Sequence, residues 1–574
     1  MTSEIERVRA GSAGDLEREG RLLTKVSTVP VVVVWHEGRA WAVEDRCPHM
    51  GFPLHQGTVE AGLLTCHWHH ARFDLASGCT LDPWADDATA FDVDIDGDDV
   101  WVSRRPALDP IGQQRRRLAD GLEHGLTLVT AKATLGLLDA DPTGASVVAT
   151  ALDHGVRYRA DGWGSGLTVL VAMANVLPHL DPPDRPLALV HALAFVSRDT
   201  RGHAPRFAES PLATTDLTAE RLTEWYRRFV DTRSADAAER VLATAVASAP
   251  VADVDAMMFA GLTDHVFIDE GHTLDFTNKA FEAVALVGPQ AAGAVLPSLV
   301  GQTCAADRSE EASEWRHPRD LAALAAAAVD RLDTALEKGW ASSTSFTDVG
   351  GLAWALLDDD PDAVVGAVLD AVAVGAAPEQ IGRALALAAA LRIVRFHTQN
   401  DFGDWNSVHH AFTAANALHQ GLIRCPSPEL LRGAIHGALR VYLDRFLNVP
   451  AARLPSGTSG SLADLAACWD TQGEVDRAGS IAYGFARGGG SRSELIAALG
   501  HALLAEDAGF HWYQVYEAGV RQALAWPEGS EESALVLAAV ARFLAAHTPT
   551  RRELPTVVRI AARLRRGEPL YAES

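Results

Sequence analysis

Between residues 47 and 70 the chain reads CPHMGFPLHQGTVEAGLLTCHWHH, which holds two of its six cysteines and five of its 22 histidines. Cys47 and His49 form a C-x-H pair and Cys66 and His69 a C-x-x-H pair. Two thiolates and two imidazoles can satisfy a tetrahedral zinc. They can also hold two sulfide-bridged irons ligated unequally, one by thiolates and one by imidazoles. Three features favour the two-iron cluster. Each Cys–His pair has its own loop between short strands. Gly51 and Gly57 let the backbone run close to bridging sulfides, and ARFDLASG (71–78) reads as a strand and turn capping the site.

Such loops need a rigid frame, and residues 22–105 have a short, β-rich texture that supplies one. VVVVW (31–35) and RAWAVE (39–44) flank the turn His36–Gly38 and predict a hairpin. FDVDID (91–96) alternates with period two and leads through a GDD turn into VWVS (100–103), a second hairpin. SRRPALDP (103–110) reads as a linker, because its two prolines interrupt either regular structure.

CPHMGFPLHQG and CHWHHARFDLASGCTLDP resemble the Rieske ferredoxins and the Rieske domains of ring-hydroxylating oxygenases, over about residues 5–105. The resemblance implies a [2Fe–2S] cluster in which Cys47 and Cys66 hold one iron while His49 and His69 hold the solvent-facing one. Phe52 and Trp68 stand where respiratory Rieske proteins carry an extra disulfide. That implies the disulfide-free, lower-potential kind, fed by a soluble reductase or ferredoxin. His70 replaces the glycine usual in the second loop. His67 and His70 are read as neighbours rather than ligands, His55 as a surface residue, and Cys79 as a small buried residue. A Rieske centre carries one electron at a time, so it implies an acceptor.

The whole chain has 574 residues, 48% of them hydrophobic and 22% charged, enough for several globular domains. A net charge of −25 disfavours nucleic acid or an anionic membrane as partner. Six cysteines make no disulfide framework, and the polar start lacks a signal-peptide core. The longest uncharged run, Ala283 to Ala306, is broken by Gly288, Pro289 and Pro297, so no membrane span is expected. A cytoplasmic protein is expected.

Beyond the linker, residues 111–574 turn to long Ala/Leu-rich segments with helical periodicity. The fold expected is a small all-β domain (1–106) followed by a large all-α domain with internal helical repeats, in halves 107–345 and 346–574. Four segments share a form, a helix ending near a histidine, a polar loop and a second helix closing on leucine. The spans His154–Leu177, His265–Leu286, His397–Leu418 and His501–Leu524 separate their ends by 23, 21, 21 and 23 residues. The first and third units lie 243 residues apart and the second and fourth 236, which suggests one tandem duplication.

The repeat histidines are the chemical lead in this region. His154, His265, His397 and His501 are candidate catalytic residues at equivalent helix ends, where a histidine can also merely cap the last carbonyls. His191, His272, Asp404, His436 and His511 are candidates for a second iron site. Iron that activates O₂ needs neutral imidazoles, carboxylates and an open position, and a helical bundle can point such residues inward. Asp161, Asp269, Glu270, Asp401 and Asp404 lie close enough to serve. His409 and His410 project about 100° apart, so at most one of them faces a common site.

The D-x-x-H-x-x-x-x-H spacing of ring-hydroxylating oxygenases is absent, and so is a dinucleotide fingerprint after a strand. Two functions are therefore expected. One is an oxidoreductase, oxygenase-like or oxidase-like, whose cluster delivers single electrons to a His-rich site that acts on a small molecule. The alternative is a non-catalytic electron carrier or redox sensor with a helical scaffold that docks a partner.

Overall fold

The computed structural model describes residues 7–104, 109–568 and 570, apart from 160, 215, 344, 458 and 459. The centre of the expected linker, 105–108, lies outside the described residues. Two compact units emerge, one of residues 1–150 with 555–574 and the other of 151–554.

In the first unit the two hairpins form as expected. β1 (Arg7–Ser12) leads through α1 (Ala13–Glu19) into β2 (Arg21–Val26), β3 (Val29–His36) and β4 (Arg39–Glu44). The cluster-motif region supplies β5 (Thr58–Glu60), β6 (Leu63–Thr65) and β7 (Arg72–Asp74). β8 (Ala90–Asp96) and β9 (Asp99–Arg104) complete the set. One sheet runs β1-β9-β8-β4-β3-β2, and β5-β6-β7 forms a second.

The run Val31–Val34 is buried on both faces of the large sheet, which explains its unbroken hydrophobicity. Alternation sends Val32, Val34 and Val43 into a core shared with Cys47, Leu64, Cys66 and Phe73. Val31, Val33 and Ala42 join Leu16, Phe91, Val100 and Val102 on the other side. The strand that makes the sheet thus also forms the floor beneath the Cys–His loops.

Two helices, α2 (Pro110–His124) and α3 (Thr127–Ala140), pack together and brace this floor. Arg117 donates to the carbonyls of Pro83 and Ala85 and pairs with Asp86. Lys132 donates to the Pro48 carbonyl at 2.7 Å and pairs with the same Asp86.

The second unit is helical throughout its regular elements. Its centre is a ring of four helices, α4 (Ser165–Val176), α5 (His272–Val287), α6 (Trp405–Arg424) and α7 (Phe510–Leu524). α4 packs on α5 and α7, and α6 packs on the same two. These are the second helices of the four segments noted in the sequence. Outside the ring α8 (Glu531–His547) covers α7.

The middle of the ring is charged. Lys279, fully buried, lies 3.0 Å from Glu282 and 3.1 Å from Glu517. Asn175 donates to both carboxylates, Asn416 donates to Glu517, and Arg521 pairs with Glu282. Every helix of the ring contributes, and every buried charge has an opposite partner, as burial requires. The uncharged run 283–306 is divided among the end of α5 and several short helices. Among the described residues no helix is long and apolar enough to cross a membrane.

Candidate functional site

The two Cys–His loops of the first unit are built alike. In the first, the Gly51 amide donates to the Cys47 carbonyl at 2.8 Å and the Cys47 amide to the Phe52 carbonyl at 2.7 Å. In the second, His70 donates to Cys66 at 3.0 Å and Cys66 to Ala71 at 2.9 Å. The turn-closing residue is left-handed in both, Gly51 at φ 86° and His70 at φ 64°. The second loop therefore keeps its turn although a histidine occupies the glycine position, at a cost of about 1 kcal/mol for a Cβ in that region.

These turns bring the thiols of Cys47 and Cys66 together in the core and leave the imidazoles outside them. A hydrogen bond between the thiols lowers Cys66 to about 6 and, with burial, raises Cys47. His49 and His69 meet edge to face with centroids 4.8 Å apart, and His69 is exposed. Burial, reinforced by His69 and Lys132, lowers His49 to about 4, and its Nδ1 is buried without a partner. Paired inner thiols, paired outer imidazoles and an orphaned ring nitrogen fit a cluster with unequal irons.

Phe52 and Trp68 meet across the loops at 5.9 Å, so apolar contact ties the loops at the place expected to lack a disulfide. His55 is half-buried rather than a free surface residue, its Nδ1 lying 2.7 Å from Asp45. Cys79 is exposed, contrary to expectation, because it lies in the turn that follows β7.

In the second unit, three imidazoles converge from the N-terminal first and second turns of three ring helices. They are His272 of α5, His410 of α6 and His511 of α7, and their candidate ligand nitrogens lie within 4.8 Å of one another. Glu270 approaches from the turn before α5, its carboxylate 2.7 Å from His410 Nδ1. That leaves His410 Nε2 buried with no partner. His511 Nδ1 lies 3.0 Å from Gln514 Oε1, and the Gln514 amide donates to Asp275 at 2.5 Å. Each of these two rings thus has one nitrogen oriented by a polar partner and the other available, as a metal-binding imidazole requires.

Burial and the neighbouring imidazoles push His272 down to about 3 and His511 to about 4. Its hydrogen bond to His410 pulls Glu270 down to about 2. Neutral imidazoles beside one carboxylate suit a transition-metal dication.

The turn that delivers Glu270 is strained. Phe267, Asp269 and Glu270 all have positive φ, at 38°, 50° and 51°. Such residues cost about 1–2 kcal/mol each and persist where surroundings over-determine them. Here the Asp269 amide donates to Asp307, the Ser309 hydroxyl donates to the Phe267 carbonyl, and Phe267 stacks on Trp315.

Of the five residues expected at a second iron site, His272 and His511 come together. His191 bonds the Tyr513 hydroxyl, His436 faces a separate apolar pocket, and Asp404 accepts from the Asp401 amide. The four candidate catalytic histidines join no cluster of three ligands among the described residues. His154 packs on Tyr158, His265 on Glu310, His397 accepts from the Gln399 amide, and His501 pairs with Asp184. One member of the His409–His410 pair does complete the cluster. His409 lies beside it, its ring 4.1 Å from that of His511. Asp275 and Gln514 are not among the residues singled out above, although each sits three residues beyond a cluster histidine, the spacing that shares a helix face.

Residues 6–92 match the Rieske [2Fe-2S] domain family. Over 92 residues the chain is 30% identical to the ferredoxin component of biphenyl 2,3-dioxygenase from Rhodococcus jostii, covering 16% of this chain and 86% of that protein. A human Rieske domain-containing protein is 33% identical over 79 residues, 13% of this chain and 50% of its own length. The 4beta-methylsterol monooxygenase of Methylococcus capsulatus is 54% identical over 43 residues, 8% of this chain and 12% of its own length. The chain thus spans half or less of these last two relatives. Among solved structures, the ferredoxin of carbazole 1,9a-dioxygenase from Nocardioides aromaticivorans is 25% identical, with a TM-score of 0.17. It covers 17% of this chain and 98% of that one. No family model matches the C-terminal region. Through its N-terminal domain, the chain belongs to the Rieske [2Fe–2S] family.

Proposed function

We propose that the protein is an oxidoreductase in which a [2Fe–2S] cluster, held by Cys47, His49, Cys66 and His69, supplies single electrons to an iron held by His272, His410 and His511. The observation that carries this reading is the triad itself, buried at His410 and half-buried at His272 and His511, with its outer carboxylate and an unpartnered imidazole nitrogen. Iron is favoured over zinc because an electron-supplying domain requires an acceptor that changes oxidation state, which zinc does not. When bound, such an iron would supply one-electron chemistry toward O₂. Glu270 would orient His410 and balance charge, Gln514 would fix the tautomer of His511, and the strained turn would hold Glu270 in place.

A soluble reductase or ferredoxin is the proposed electron donor. The free thiols and acidic composition accord with a cytoplasmic setting without nucleic acid or membrane as partner. The division into 1–106, 107–345 and 346–574, with one duplication behind the helical halves, is proposed on the common form of the four segments.

The test is anaerobic reduction of the full chain followed by mixing with O₂ in a stopped-flow instrument. Rapid reoxidation of the cluster in the native protein, slowed to the rate of an isolated ferredoxin in His410→Ala, supports the assignment. Equal rates in the two proteins would defeat it.

A further inference from the structure

Each Cys–His loop turns its own backbone toward its cysteine sulfur. The amides of His49 and Met50 donate to Cys47, and those of Trp68 and His69 donate to Cys66. In the first loop a lysine acts on this bond from outside. The Pro48 carbonyl belongs to the same peptide group as the His49 amide, and it accepts from Lys132 Nζ at 2.7 Å. One peptide group therefore has an ammonium at its oxygen and the Cys47 sulfur at its N–H. A cation on the carbonyl polarises the group, which makes the N–H a stronger donor to sulfur.

Lys132 belongs to α3, in the helix pair that follows the matched residues 6–92. Its side chain is only 12% exposed, so salt and water screen its charge little. Its carboxylate partner, Asp86, is shared with Arg117, which also pairs with the more exposed Asp120. Lys132 acts on His49 more strongly than Asp86 does, so the pair presents a net positive field to that ring. The ring itself lies under Trp84, edge to face with centroids 4.8 Å apart.

We propose that Lys132 is a positioning residue that raises the reduction potential of the cluster, through the Pro48–His49 peptide on the Cys47 sulfur and through its own charge. Reduction adds one negative charge, and hydrogen bonds to the sulfurs and nearby positive charge stabilise the reduced state. The inference rests on the assignment of the cluster to Cys47, His49, Cys66 and His69, and it needs no second iron.

The test is a redox titration of the full-length protein at fixed pH, with the reduced fraction read from the EPR signal. A unit charge about 10 Å away at an effective dielectric of about 20 shifts an equilibrium roughly tenfold. Lys132→Met is therefore expected to lower the potential by about 59 mV, the one-electron equivalent of that factor. Lys132→Arg keeps a charged donor and should restore most of the loss. Asp86→Asn should move the potential upward, by less, because Asp86 acts on His49 more weakly than Lys132 does. An unmoved potential in Lys132→Met, or an unmoved or lowered one in Asp86→Asn, would overturn the proposal. Should Lys132→Met assemble no cluster, the sign of the Asp86→Asn shift decides alone. A native protein without a Rieske signal would defeat the cluster assignment itself, whereas a native signal whose potential ignores both substitutions defeats only the role of Lys132.

Discussion

The two histidine centres of this molecule solve the same problem by opposite means. In the β domain, two short loops carry thiols and imidazoles, and one left-handed residue closes each turn. The ligands are near in sequence, and the sheet beneath supplies only a floor. In the helical unit, the three imidazoles come from helix starts as distant as residues 272 and 511, and a ring of four helices must form before they meet. Local turns can place ligands almost independently of the rest of the chain. A centre assembled from helix ends inherits every packing contact and every buried charge of its bundle.

That contrast can be broken at its strongest point first. Cys66→Ser should abolish the visible absorption and reduced EPR signal of the cluster while far-ultraviolet circular dichroism of the helical unit stays unchanged. Loss of helical signal would show that the two centres do not stand apart. His410→Ala should do the reverse, removing more than about 100-fold of the affinity for the second metal and leaving the cluster spectrum intact. Glu270→Gln keeps the ligands but not the charge, so a loss of about 10–100-fold is expected in a metal titration, as for other outer partners of metal-bound imidazoles.

Acid should separate the two regions further. Burial holds His191, His419, His436 and His547 of the helical unit near 4, below their ordinary value of about 6.5. Their unfolded forms bind more protons between those limits, so stability is full above about 6.5 and falls as pH drops toward 4. Asp275, raised by burial to about 7, works in the opposite sense and offsets one of the four. Thermal melts of the metal-free protein should show the helical transition losing temperature over that window faster than the β domain. A flat profile would mean these histidines are not buried as described.

The smallest effect belongs to the second cluster loop. His70→Gly removes a Cβ from a left-handed position and should stabilise the β domain by about 0.5–1 kcal/mol in denaturant unfolding. A destabilised variant would show that the His70 side chain supports the loop.

The same difference decides what the sequence reveals. The C-x-H and C-x-x-H pairs, the alternating strands and the run Val31–Val34 encode local geometry, so the β domain is legible from its residues. The helical texture is legible too, because periodicity is local. His272 and His511 could be picked out from their place in recurring segments, but Asp404 occupies a comparable place and points elsewhere. Nothing in periodicity says which helices become neighbours, and that choice separates His410 from His436. Glu270 reaches His410 only because Asp269 and Glu270 adopt a left-handed backbone, a conformation their residue types do not announce. Asp275 and Gln514 were within reach of spacing once their histidines were known.

The most direct measurement is iron analysis joined to EPR of the purified, dithionite-reduced full chain, before and after exposure to nitric oxide. The expected result is a Rieske signal together with iron beyond the two of the cluster, the additional iron giving a nitrosyl signal that disappears in His410→Ala. A Rieske signal with no further redox-active metal, and no O₂ consumption with reductant, would contradict the assignment of a second iron to the triad.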